Sequence, residues 1–249
     1  MKPISYWLAA TLAAGALPAA ATTAQSGTLA VVANATLGTD VESQLNNNSW
    51  AAVPTTLTES ASVTANDGAD FATTSGAATA TWASADAGAV NFNQYGWTWN
   101  VNNGEFVETD LTQNRGGDDW TYTFTATQNG TFSMAYNVAP TTTQTFGLWG
   151  WSIDWSGAGG GLPVSNPFDP TASGVFTRSI LAGQTYTVGL NGNPNLSSTG
   201  GDFSSFMNGQ FNWSIAGVPE PATWAMMLVG FGGMGAAMRV RRKSLATAA

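Results

Sequence analysis

The side chains able to do chemistry in this sequence are few in kind. It contains no histidine and no cysteine. The Ser-His-Asp and Cys-His arrangements of nucleophilic catalysis are therefore out of reach, and no thiolate zinc site can form. Carboxylates remain. Glu105, Glu108, Asp110, Asp118, Asp119, Asp154, Asp169 and Asp202 are the acids from which a glycosidase pair would be drawn. Such a pair needs two carboxyls held about 5 to 9.5 Å apart, with one pKa raised. Each of these residues sits in a polar or glycine-rich stretch, where a solvated loop acid is the default. Oxygen donors of this kind suit calcium, but "GGDDW" and "ANDGAD" lack the full D-x-D-x-D-G spacing. The reading is a non-enzymatic protein with no cofactor, calcium being the one ion the donors suit.

Aromatic side chains are the other resource. Trp149, Trp151 and Trp155 share one face of a strand with Ile153, and Trp97 and Trp99 repeat the spacing nearby. Flat rings exposed on a strand stack against sugars, so Trp149, Trp151 and Trp155 form a candidate glycan platform. The competing reading is that tryptophans at period two line a core and bury large areas there. Phe146 and Leu148 offer the opposite face of that strand as the alternative core side.

The elements that hold these residues read as strands. Trp120, Tyr122, Phe124 and Ala126 alternate with threonines, and Phe132, Met134, Tyr136 and Val138 alternate again after Gln128-Asn129-Gly130. Asn-Gly between two period-2 runs predicts a hairpin. A second hairpin is predicted around Gly183, between Phe176–Ile180 and Tyr186–Leu190. Further strands are expected near Leu29–Thr36, Ala78–Ala83, Val90–Trp99, Phe146–Trp155 and Phe211–Ile215. Glu59–Ala89 is rich in Ala, Thr, Ser and Gly and reads as a weak strand pair or a mobile loop. Short strands between Gly, Asn and Pro turns argue for an all-β body, an antiparallel β-sandwich or jelly roll. Asn-x-Ser/Thr triplets at Asn34, Asn47, Asn129, Asn195 and Asn212 arise by chance in so polar a chain and receive no role.

Charge excludes one class of partner. Only 9% of the 249 residues are charged, against roughly 25% in ordinary globular proteins. Between Asp40 and Asp202 there are fourteen acids and only Arg115 and Arg178 as bases, a formal charge of −12. A surface this negative repels phosphate backbones, so no nucleic acid is expected.

Both ends read as addresses. Met1-Lys2, an apolar run from Ile4 to Leu17 and a small-residue region match a secretory signal peptide spanning 1–24. Ala19-Ala20-Ala21 and Thr22-Thr23-Ala24 both suit cleavage, which starts the mature chain near Thr22 or Gln25. At the other end, Ala222–Met238 is a 17-residue stretch without charge. As a helix it spans about 25 Å, slightly short of a hydrocarbon core of about 30 Å. The basic cluster Arg239, Arg241, Arg242 and Lys243 then acts as a stop-transfer signal and stays cytoplasmic. This predicts a single transmembrane helix with the body outside and 244–249 as a cytoplasmic tail. Pro219-Glu220-Pro221 just before it is extended and cannot join the helix, because each proline fixes φ and lacks a donor.

Pro219, Glu220, Pro221, Trp224 and Ala225, followed by an apolar glycine-rich helix and a basic end, resemble the PEP-CTERM sorting signal in its PEPxxWA variant. The resemblance covers 217–243 and leaves 25–216 as the exported domain. It implies a Gram-negative bacterium, export by the secretion translocon and transient anchoring in the inner membrane. An exosortase then cuts near Pro-Glu-Pro, leaving the body at the cell surface or outside the cell. It also implies association with exopolysaccharide or biofilm. A carbohydrate-binding module using exposed tryptophans is the alternative for the body, and a divergent glycosidase stands behind it.

Overall fold

A computed structural model describes residues 21–52, 55–110, 119–140, 151–157, 172–192, 195–218 and 227–234. The body is antiparallel β throughout, as two faces of alternating sequence require. Its strands are β1 (Thr22–Leu37), β2 (Asp40–Trp50), β3 (Thr56–Asp67), β4 (Asp70–Ser84), β5 (Ala87–Asp110) and β6 (Trp120–Ala126). They continue with β7 (Gly130–Pro140), β8 (Trp151–Gly157), β9 (Ala172–Ile180), β10 (Thr185–Gly192) and β11 (Asn195–Gly217).

Hydrogen bonding runs β8-β10-β6-β1-β5-β11-β7-β9, with β2 beside β1, and β3 joined to β5 through β4. One layer is β8-β10-β6-β1-β2 and the other is β3-β4-β5-β11-β7-β9. The long strands β5 and β11 belong to both. Their pairing slips at Thr199/Gly201, beside Gly104, Gly200 and Gly201, whose φ values are 77°, 77° and 96°. Only glycine takes that backbone without strain, and it lets the pair bend from one layer to the other.

Inward side chains follow strict alternation. In β4 the pattern buried–intermediate repeats from Asp70 to Trp82, and β6 repeats it from Trp120 to Ala126. The core is graded in size. Phe92, Tyr95, Trp151 and Phe211 form one ring cluster, with Phe92–Trp151 centroids 4.3 Å apart. Tyr122 stacks near Trp50 and Trp213, at 5.7 and 4.7 Å. Where β1 faces β3 and β4, the buried residues shrink to Ala33, Ala35, Ala61, Ala65, Ala72 and Ala78. Small side chains let the layers close up, with Cα atoms of β1 and β3 within 8 Å where stacked sheets usually stand about 10 Å apart. The Thr74 hydroxyl reaches across to the Asn34 carbonyl at 2.8 Å. The segment Glu59–Ala89 is thus mostly a strand pair, and its small residues are what the thin part of the core requires.

Two expected hairpins are corrected. The strands on either side of Asn129-Gly130 are present, but β6 pairs with β1 and β10, and β7 pairs with β11 and β9. The connection is an arch that carries the chain from one layer to the other. Phe124 and Phe132 then face each other across the core, centroids 6.1 Å apart. Gly130 does not take the positive φ that a type I′ turn demands. The turn at Gly183 (φ 77°) is formed, yet β9 and β10 also lie in different layers. True two-residue hairpins occur at Gly38 (β1–β2) and Gly68 (β3–β4), both with positive φ.

Strand β2 was not expected from its polar sequence. Its side chains seal the neighbouring edge: the Ser62 N–H donates to Gln44 Oε1 at 2.9 Å and the Asn66 N–H to Asp40 Oδ2 at 2.7 Å. The Asn46 amide donates to the Ser60 carbonyl. Polar residues here replace a ladder, which leaves fewer open donors along β3.

Candidate functional site

Both chain ends of the body meet at one residue. Asp86 lies in the tight connection between β4 and β5, where its N–H donates to Ser84 Oγ at 3.0 Å. Its carboxylate accepts the Ala21 N–H at 2.7 Å through Oδ2. Oδ1 stands 2.6 Å from the Thr22 hydroxyl, which also lies 2.9 Å from the Ala85 carbonyl. That hydroxyl has one proton, and the carboxylate is the stronger acceptor. The Ala85 carbonyl is in any case occupied by the Tyr122 hydroxyl at 2.6 Å. Burial, and with it the Asp86 charge, pushes the Tyr122 phenol upward.

The exit of the chain is bound to the same spot. The Asp86 carbonyl accepts the Ile215 N–H at 2.7 Å. The arch after β6 closes the gap, since the Thr127 N–H donates to the Ala21 carbonyl at 2.9 Å and the Val218 N–H to the Asn129 carbonyl at 2.7 Å. Strand β11 ends at Gly217, and Pro219 follows with only Val218 between them. In the sequence, the Pro-Glu-Pro segment therefore follows the last described residue of the body, Val218, without a linker.

Pro219, Glu220, Pro221, Trp224, Ala225, Arg239, Arg241, Arg242 and Lys243 lie outside the described residues, as do residues 1–20 and the tail 244–249. Within the expected span, residues 227–234 are helical. They expose Met227, Leu228, Val229, Phe231 and Met234, each about half or more open to solvent. Among the described residues no helix is long and apolar enough to cross a membrane.

The aromatic platform is corrected where it can be seen. Trp151 and Trp155 are 1% and 5% exposed. Trp151 packs on Phe92, Tyr95 and Phe211, and Trp155 on Phe132, Phe176 and Tyr186. They face inward because β8 presents its Trp151-Ile153-Trp155 side to the core, so they offer no surface to a sugar. Trp149, Phe146 and Leu148 lie outside the described residues. Trp97 and Trp99 are also buried.

The acids lie on several elements, with Glu105, Glu108 and Asp110 sharing β5. Asp154 sits on β8 and Asp202 on β11. Asp118 and Asp169 lie outside the described residues, as does the side chain of Asp110. Asp119 departs from the solvated-loop expectation, because it is fully buried. Its carboxylate accepts the Gly192 N–H at 2.8 Å, its N–H donates to the Leu190 carbonyl and its carbonyl accepts the Ala30 N–H. It ties β1 and β10 together at the start of β6. Burial, and then this carboxylate, raise the fully enclosed Tyr95 phenol well above its ordinary value. Among the described residues no group of three or more acids is placed to hold a metal ion.

The "ANDGAD" stretch is the β3–β4 hairpin, with Asp67 opposite Asp70. Asp70 turns back to accept from Asn102, so its oxygens are committed to the fold. Sequence reasoning missed Asp86 and Thr22; nothing in the type or spacing of either marks a meeting point of the chain ends.

Comparison with known proteins speaks to the carboxyl-terminal part. Residues 217–243 match the family model of the PEP-CTERM protein-sorting motif. The chain thus carries that sorting motif at the place where β11 ends, which supports a PEP-CTERM protein that is an exosortase substrate. No curated protein and no solved structure matches this chain.

Proposed function

We propose that this chain is a non-enzymatic surface or matrix protein of a Gram-negative bacterium, carried out by the secretion translocon and finished by exosortase. Its signal peptide is removed on export. The helix that includes 227–234 holds the body at the outer side of the inner membrane, with Arg239, Arg241, Arg242 and Lys243 inside. Exosortase then acts near Pro219-Glu220-Pro221 and frees the body for the cell surface, where it accompanies exopolysaccharide.

The observation that carries this reading is the PEP-CTERM match at 217–243, beginning where the last strand ends. The meeting of both chain ends at Asp86 agrees with it. A body whose entry and exit lie together can stand on the membrane at one end and extend the other away. The exposed apolar helix agrees too, because Leu228, Val229 and Phe231 stand largely open to solvent, as suits a helix meant for lipid. Expression in a host with and without exosortase, followed by fractionation, tests the reading. The body is expected outside the cell only where the enzyme is present.

A further inference from the structure

Ala21 and Thr22 are built into the fold. Ala21 is 4% exposed and belongs to the core, and Thr22 is 2% exposed. The Ala21 N–H and carbonyl and the Thr22 hydroxyl each have a partner, on Asp86, Thr127 and Asp86 respectively. Thr22, Thr23 and Ala24 also extend the ladder with β6, opposite Ala126, Thr125 and Phe124. A chain beginning at Gln25 would lose all of this and leave Asp86 facing an empty strand position.

We propose that Asp86 is the receptor for the α-ammonium of the mature chain, and that signal removal leaves Ala21 or Thr22 as its first residue. The inference rests on the signal-peptide reading of residues 1–24; it places the cut at the earlier of the two sites that the sequence leaves open, or one residue before it, and excludes a start at Gln25. In the cut, water adds across the peptide bond. The hydroxyl goes to the carbonyl carbon of the departing signal, and the freed nitrogen keeps the bonding pair and is protonated. Cleavage before Ala21 leaves that ammonium on the nitrogen now 2.7 Å from Asp86 Oδ2. Cleavage one residue later leaves it on Thr22, whose side chain already touches Asp86 Oδ1. Cleavage before Ala21 puts a full positive charge on the donor that already reaches the carboxylate, and cleavage before Thr22 puts it on the backbone of the residue whose hydroxyl does, so an ion pair forms only once the signal is gone. Processing then locks β1 at the end of the body where the chain also leaves.

The chain provides a clean reporter. Its two lysines are Lys2 and Lys243, so a mature form without the two addresses carries a single amine. The extracellular protein is first digested and its amino-terminal peptide identified by mass spectrometry. A start at Ala21 or Thr22 is the expected result, and a start at Gln25 or later overturns the proposal while leaving the signal reading intact. A chain still beginning at Met1 contradicts the signal reading and the proposal with it. The mature protein and its Asp86→Asn variant are then labelled with an amine-reactive ester near pH 7. Ion pairing that raises the amine pKa by about one unit slows labelling about tenfold relative to the variant. Equal rates in two folded proteins overturn the ion pair. The peptide measurement uses the unaltered protein, so it stands even where the variant folds poorly.

Discussion

The Asp86 carboxylate stands 2.7 Å from the backbone nitrogen of Ala21, across 65 residues of sequence. The same residue's carbonyl takes the Ile215 N–H. One connection between two strands thereby ties the first and last strands of the body. Asp86→Ala removes the acceptor for two partly buried donors, Ala21 N–H and the Thr22 hydroxyl. A lost partner of this kind costs about 1 to 3 kcal/mol. Urea denaturation of the exported protein should show that loss, and an unchanged midpoint would separate Asp86 from the stability of the ends.

Trp151 distinguishes a core from a binding face. At 1% exposure against Phe92, Tyr95 and Phe211, its truncation leaves a cavity that the rigid sheets cannot close. Trp151→Ala is expected to cost about 3 to 5 kcal/mol, as large-to-small core changes do. Chemical denaturation checks it. A cost below about 1 kcal/mol would show that the ring does not belong to the core.

The two buried phenols make stability fall at alkaline pH. Both are raised in the folded state, Tyr95 by burial and then Asp119, Tyr122 chiefly by burial. Unfolded tyrosine ionises near pH 10, so above that the unfolded state sheds protons that the folded state keeps. The contribution is complete below about pH 10 and is lost as pH rises toward the folded values. Each phenol removes about 1.4 kcal/mol per pH unit in that window. Denaturation midpoints measured from pH 8 to 11 should be flat and then fall. Phenolate absorbance should show two tyrosines ionising only with unfolding.

Replacing these phenols one at a time separates their roles. The Tyr122 hydroxyl donates to the Ala85 carbonyl at 2.6 Å, so Tyr122→Phe should cost about 1 kcal/mol. The Tyr95 hydroxyl is buried without a hydrogen-bond partner among the described residues. Tyr95→Phe should therefore be neutral or stabilising, and thermal melts of the two variants should move apart. A Tyr95→Phe melt well below that of the parent would reveal a partner for that hydroxyl.

Alternation in the sequence was enough to mark inward faces, because a strand must bury one side whatever it pairs with. Tyr122, Phe124, Phe132 and Met134 all point inward as their period requires. Pairing was not readable from that pattern. Asn129-Gly130 carries the residues of a tight hairpin, yet the two runs face each other as opposite walls of the core. The difference lies in partners far along the chain: β1 and β10 flank β6, and β11 and β9 flank β7. The polar strand β2 was hidden for a related reason, since its Gln and Asn side chains seal an edge instead of filling a core. The sorting motif needed no fold to be read, because Pro-Glu-Pro, the apolar run and the basic cluster act as an extended address. The Asp86 junction could be found only from the fold, since its partners are separated by 64 and 129 residues in the chain.

The most direct test is the carboxyl end of the protein recovered outside an exosortase-bearing cell. Intact-mass measurement, with peptide mapping of the last residues, reads it. The account predicts a chain that ends near Pro219-Glu220-Pro221 and lacks Arg239 to Ala249, and that stays in the membrane fraction at full length when Pro219 and Pro221 are both replaced by alanine. Extracellular protein that still carries Arg239 to Ala249 would contradict it.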